Sequence, residues 1–129
     1  MENIKVVFIN CDKVPYVDLI MLRLKLFETR SRRMLHSVMN ERVYIAETHH
    51  GKPPRVRCSL VFTDACYADS RAAWETARPS TCVPEGGAHD WKDTTRIKWL
   101  YQISNVQPCV PFIPQEGLRH GRVWMESKI

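Results

Sequence analysis

The apolar positions of this chain fall in short blocks separated by prolines, glycines and charges. Ile4–Ile9 (IKVVFI) is β-branched and nearly continuous in apolar character, which predicts a first strand. Pro15 then suits a first helical turn, with Asp12 as an upstream cap, and Val17, Leu19, Ile20, Leu22 and Leu24 supply an apolar face. Leu26–Arg30 (LFETR) alternates, with Phe27 and Thr29 on one side and Glu28 and Arg30 on the other, so Lys25 falls where helix gives way to strand. A basic stretch, Ser31–Arg42, precedes a strand over Val43–Thr48, a turn at His49–Pro54 and a partner strand over Val56–Thr63. Ser70–Arg78 reads as a second helix ended by Pro79, and residues 79–95 as a long polar connection. Ile97–Val106 is rich in strand formers. Pro108, Pro111 and Pro114 then interrupt the chain before a last strand over Arg122–Glu126.

Short strands with one helix after the first and another after the central hairpin predict an α+β fold, either a small mixed barrel or a strongly curved sheet, with an open α+β sandwich as the alternative. At 129 residues the chain accommodates one core, and no repeat or linker divides it, so residues 1–129 are expected to form a single domain. Apolar runs such as Leu19–Leu22 fall far short of the roughly 20 residues of a membrane span. No basic start with a long apolar run opens the chain, and the expectation is a cytoplasmic protein without a membrane partner.

The five cysteines, Cys11, Cys58, Cys66, Cys82 and Cys109, are odd in number and contain no C-x-x-C, which fits reduced thiols better than a zinc or disulfide framework. His49 and His50 would face opposite sides of a strand, so no metal and no other cofactor is expected. A nucleophilic pair such as Cys66 with His89 would require proximity that spacing does not establish.

Charge sharpens the picture by its position. The net charge is +5, and all of the excess lies in residues 1–57, densest between Leu19 and Arg42. Within that block Lys25, Glu28 and Arg30 place a mobile cation, an acceptor and a planar guanidinium in one small area. Such a trio can contact phosphate or a base edge, or it can be an ordinary surface ion-pair cluster. Arg32, Arg33 and Arg42 would extend a basic path. Trp99 and Tyr101 share one side of the late strand, where they serve either as core or as a stacking surface for single strands.

Around these residues the sequence resembles the ASCH domain family of the PUA-like superfamily, recognised by a G-x-K-x-x-E-x-R motif after a first helix. Lys25, Glu28 and Arg30 match its charged positions, and Arg23 replaces its glycine. Glu41-Arg42-Val43-Tyr44-Ile45-Ala46-Glu47-Thr48 is similar to the strand that follows, with Asn40 where a glycine is common. The resemblance spans about Val14 to Val106. It implies a small PUA-like β-barrel of about five to six strands with two or three flanking helices and a cleft beside the first helix. It further implies RNA, a single-stranded nucleic acid or a nucleotide as partner, bound by Lys25, Glu28, Arg30, Arg32, Arg33, Arg42, Trp99 and Tyr101. One branch of similar proteins removes acyl groups from N4-acetylcytidine with the motif lysine and a threonine three residues later; here Glu28 occupies the threonine position, and a carboxylate cannot replace a hydroxyl nucleophile in the same way.

The rival reading is a small hydrolase of RNA or of an acylated or modified nucleoside, with Lys25 and Glu28 as catalytic candidates. A lysine base needs a pKa near about 7–8, towards which Arg23 and Arg30 would push and from which Glu28 would pull. A third class is an interaction domain whose basic face meets an acidic protein.

Overall fold

The computed structural model describes residues 3–33, 35–115, 117–120 and 123–128, with the backbone alone at 120 and 128. Among them, β1 (Asn3–Asn10), β2 (Phe27–Arg30), β3 (Arg42–Thr48), β4 (Arg55–Ala68), β5 (Lys98–Phe112), β6 (Leu118–His120) and β7 (Trp124–Lys128) form one mixed sheet in the order β2-β5-β4-β3-β1-β7-β6. Helices α1 (Tyr16–Met21) and α2 (Arg71–Thr81) pack on it, and a 3-10 turn covers His36–Val38. None of the described helices is long and apolar enough to cross a membrane.

The continuous apolar run of β1 has a simple cause, because the strand is buried on both faces. Ile4, Val6 and Phe8 pack with Ala46, Val56 and Met125 on one side. Val7 and Ile9 join Ile20, Ile45, Leu60, Phe62 and Tyr101 in the main core on the other. β1 and β3 run parallel, and the intervening α1 and β2 provide the crossover that parallel pairing requires.

β4 and β5 are long antiparallel strands bent by register shifts between Val56 and Cys58, Ser59 and Val61, and Phe62 and Asp64. Pro108 and Pro111 lie inside β5 rather than interrupting it. β2 pairs with β5 only over Trp99–Gln102, so further along one side of β5 is an edge, and Pro108 opposes Cys58 at a bulge. A missing N–H costs no ladder bond at such positions. The single terminal strand expected over Arg122–Glu126 is instead the hairpin β6–β7; Arg122 itself lies outside the described residues.

Among the described residues the edge strands β2 and β6 do not pair, so the sheet is not closed into the expected barrel. Its curvature nevertheless returns β2 to β1. The β1–β7 register ends at Val7 opposite Trp124, and just beyond it the Arg30 guanidinium donates to the Phe8 carbonyl at 2.9 Å. A side chain thus bridges where a ladder would close a barrel.

Three helix ends differ from expectation. α1 stops at Met21, leaving Leu22 and Leu24 exposed rather than on its apolar face. Asp12 does not cap it; its carboxylate accepts from the His50 N–H at 2.7 Å. α2 starts as expected, with the Ser70 hydroxyl accepting from the Ala73 N–H at 3.1 Å, but runs through Pro79 to Thr81.

Candidate functional site

Lys25 reaches the interior because of how α1 ends. The Leu24 N–H donates to Leu19 O at 2.9 Å and the Arg23 N–H to Ile20 O at 3.0 Å, with Arg23 left-handed at φ 63°. That is a Schellman termination, which turns the chain sharply and favours glycine at the position of Arg23. The motif glycine that Arg23 replaces therefore has a conformational reason. An L-residue in the left-handed region costs roughly 1–2 kcal/mol, against which the Arg23 guanidinium donates to Met21 O and Val106 O. Asn40, at the other position where glycine is common, is left-handed as well, at φ 59°.

Beyond this turn Lys25 points inward and is only 1% exposed. Its Nζ donates to Thr81 O at 2.7 Å, lies 3.5 Å from Glu28 Oε1, and sits 4.5 Å from the centre of the Tyr16 ring. Burial lowers the Lys25 pKa from its ordinary value, and the Glu28 charge opposes that shift. Glu28 is buried too. Burial raises its pKa, but Arg30, Lys25 and the Thr29 N–H outweigh this and hold the carboxyl below its usual range. Arg30 donates from one Nη to Glu28 Oε2 at 3.0 Å and to Phe8 O at 2.9 Å, while its Nε has no hydrogen-bond partner among the described residues. The buried Thr29 hydroxyl, between Glu28 and Arg30 on β2, also has none among the described residues.

These residues border a cavity of about 260 Å³ between the end of β1, the start of α1, β2 and the loop before β5. Tyr16 gives it aromatic surface and Phe8 its backbone carbonyl; Lys25, Glu28, Arg30 and Lys98 give it charge. Lys98 donates to His89 O at 2.7 Å, and its pKa is lowered by burial and by Lys92. His89 packs against Tyr16 at 6.5 Å between ring centres. Burial, aided by Lys98, Arg30 and Lys25, outweighs the pull of Glu28 and lowers the His89 pKa, which favours the neutral imidazole. The Tyr16 hydroxyl is pushed up to about 12 by burial and the Glu28 charge. A neighbouring cavity of about 350 Å³ shares Asn10, Tyr16 and His89 with the first.

The structure thus brings Lys25, Glu28 and Arg30 together in one wall. Arg42 is elsewhere, donating to the Ser59 hydroxyl and Asn105 O. Arg32 and Arg33 are exposed after β2, Arg33 lying 5.4 Å from the Trp99 ring centre. Trp99 is partly exposed, whereas Tyr101 is buried in the main core, its hydroxyl accepting from the Leu35 N–H. Cys66 is exposed on β4 opposite Leu100, while His89 is in the cavity wall. Among the described residues no group of three His, Cys, Asp or Glu side chains is placed to hold a metal. Tyr16, Lys98 and His89 join the site without a local signal in the sequence, as a helix tyrosine, a strand lysine and a loop histidine.

No protein-family model matches the chain, and no curated protein matches it in sequence. Among solved structures, the chain is similar to the ASCH protein of Zymomonas mobilis, with 18% identity and a TM-score of 0.67 over 84% of this chain and 72% of that one. Crystal structures of a serine-to-alanine and a tyrosine-to-phenylalanine variant of that protein match equally, at TM-score 0.67 and 18% identity, covering 72% and 74% of their chains. The chain has the ASCH fold.

Proposed function

We propose that this ASCH-fold protein binds a nucleotide, as part of RNA or free, in the cavity beside α1. The observation that carries this reading is the wall's composition. Three cations, Lys25, Arg30 and Lys98, face one carboxylate, Glu28, around a small space bordered by the Tyr16 ring. That excess of positive charge suits an anionic ligand, and Tyr16 suits a planar one. Lys25 is spent on Thr81, Glu28 and the Tyr16 ring, so its part is to fix Glu28. Arg30 and Lys98 offer the contacts to the ligand, and Glu28 orients Arg30 or accepts from a base amino group.

Calorimetric titration with the four ribonucleoside monophosphates tests this. Binding that weakens at least tenfold in Arg30→Gln and Lys98→Met supports it. No binding by the wild-type chain, or binding that neither variant alters, refutes it. A hydrolase acting on RNA or on an acylated nucleoside is the second reading, favoured by the buried Lys25, whose pKa burial lowers, beside Glu28 at 3.5 Å. Product formation lost in Lys25→Met, followed by chromatography, would establish it; no turnover across a panel of acylated nucleosides and RNA would dismiss it.

A further inference from the structure

One row of side chains links the cavity to the outer surface. In the ladders Arg30 lies opposite Trp99, and Trp99 opposite Tyr67, so the three occupy one face of adjacent strands β2, β5 and β4. Neighbouring strands stand about 4.8 Å apart, so the row starts in the cavity wall and moves away from it by a single strand spacing at each step. Tyr67 is 56% exposed. The Tyr67 and Trp99 rings meet edge to face, 5.4 Å between centres and inclined at 61°, which fixes both orientations. Over Trp99 lies the exposed Arg33 guanidinium, with Arg32 beside it in sequence.

We propose that Tyr67, Trp99 and Arg33 form a stacking platform for the nucleotide adjoining the one held in the cavity, so that the ligand is a single-stranded nucleic acid of two or more nucleotides rather than a free nucleotide. This rests on the nucleotide-binding reading of the cavity. Three features favour that occupant. Tyr67 is more than half exposed, and single-strand binders stack bases on exposed aromatic rings. Arg33 presents a planar cation, which stacks on a base and attracts its phosphate. The platform is continuous with Arg30, a residue of the cavity wall, so a strand leaving the cavity along this row passes over it. The strong tilt of the two rings leaves room for one base on Tyr67 rather than a stack across both.

The test compares wild-type protein with Tyr67→Ala, Tyr67→Phe and Arg33→Ala, all checked for folding by thermal melting. Each is titrated with fluorescein-labelled ten-residue oligouridylate and oligoadenylate by anisotropy, and with the ribonucleoside monophosphates by calorimetry. The expected result is oligonucleotide affinity reduced at least about fivefold in Tyr67→Ala, as loss of one stacked base predicts. Arg33→Ala should weaken it too, Tyr67→Phe should restore it, and monophosphate affinity should stay the same in both Tyr67 variants. Monophosphates that bind while Tyr67→Ala leaves the oligonucleotide affinity within twofold would overturn the platform and leave the cavity reading standing. Failure of both ligand types to bind the wild-type chain would overturn the cavity reading, and the platform with it.

Discussion

Replacing Glu28 by glutamine isolates the electrostatics of the site from its shape. The carboxylate is 5% exposed and is shared between Lys25 at 3.5 Å and Arg30 at 3.0 Å. Glutamine keeps the volume and one acceptor for the Thr29 N–H but removes the charge, leaving two cations in a site that excludes water. Stranding a buried charge in this way costs about 3–5 kcal/mol. With a urea dependence of about 2 kcal/mol/M, the unfolding midpoint should fall by roughly 2 M at pH 7. The pH dependence carries the diagnostic. Lys25 has a lowered pKa in the folded chain, so between that value and its ordinary 10.5 the unfolded chain binds more protons, and stability rises with pH. Removing the Glu28 charge lowers the Lys25 pKa further. The deficit in Glu28→Gln should therefore be largest near pH 7 and shrink as pH is raised to 9 and beyond. In the wild type the Glu28 carboxyl, held below its ordinary 4.5, contributes stability above that pH that disappears as pH falls through its folded value. Urea titrations followed by tryptophan fluorescence at pH 5, 7 and 9, with Lys25→Met/Glu28→Gln as the partner variant, measure this. A deficit under about 1 kcal/mol at pH 7, the same at pH 9 and not reduced in the double variant, would refute the buried triad as described.

Two further outcomes test the frame around the site. Asn40, left-handed at φ 59°, should accept glycine with little change, whereas Asn40→Val should lower stability by about 1–2 kcal/mol because a β-branched side chain is crowded there; comparative thermal melts decide. Asp90 accepts from Trp74 Nε1 at 2.6 Å and from the Gly86 and Trp91 N–H groups, anchoring the loop that carries His89. Asp90→Ala should cost about 1–3 kcal/mol through the stranded Trp74 donor and should raise hydrogen exchange across residues 84–91; unchanged exchange there would show that the loop is held by other means.

Much of the candidate site is legible along the chain because it is compact in sequence. Lys25, Glu28 and Arg30 lie within six residues, and alternation in a strand puts the last two on one face. The apolar run of β1 likewise announces a strand buried on both sides. Other features escape local reading. The end of α1 depends on a left-handed arginine, and nothing in Leu22-Arg23-Leu24 signals that the helix stops before them. The prolines of β5 read as breakers, yet they sit where a short neighbour and a bulge leave the N–H side unpaired. Tyr67 was outside the expected strand, because the extension of β4 to Ala68 is set by its partner β5 rather than by its own pattern. Tyr101 differs from Trp99 in burial, although two residues apart and on one side, because Tyr101 lies under Phe62 and Leu35 while Trp99 is nearer the end of its strand.

What the sequence determined by itself is the local chemistry: which segments are strands, where positive charge concentrates, and which three residues form a charged cluster. Those properties depend on neighbours a few positions away, so they are written in spacing. The cavity is a product of the tertiary structure alone. Its walls come from β1, α1, β2, the loop bearing His89 and the first residue of β5, segments up to 90 residues apart between Phe8 and Lys98. Only the curvature of the sheet, bringing one edge strand back to Phe8 through Arg30, places them around one space. Curvature of that kind is the summed result of twist, bulges and packing over the whole sheet, and no short stretch of sequence encodes it.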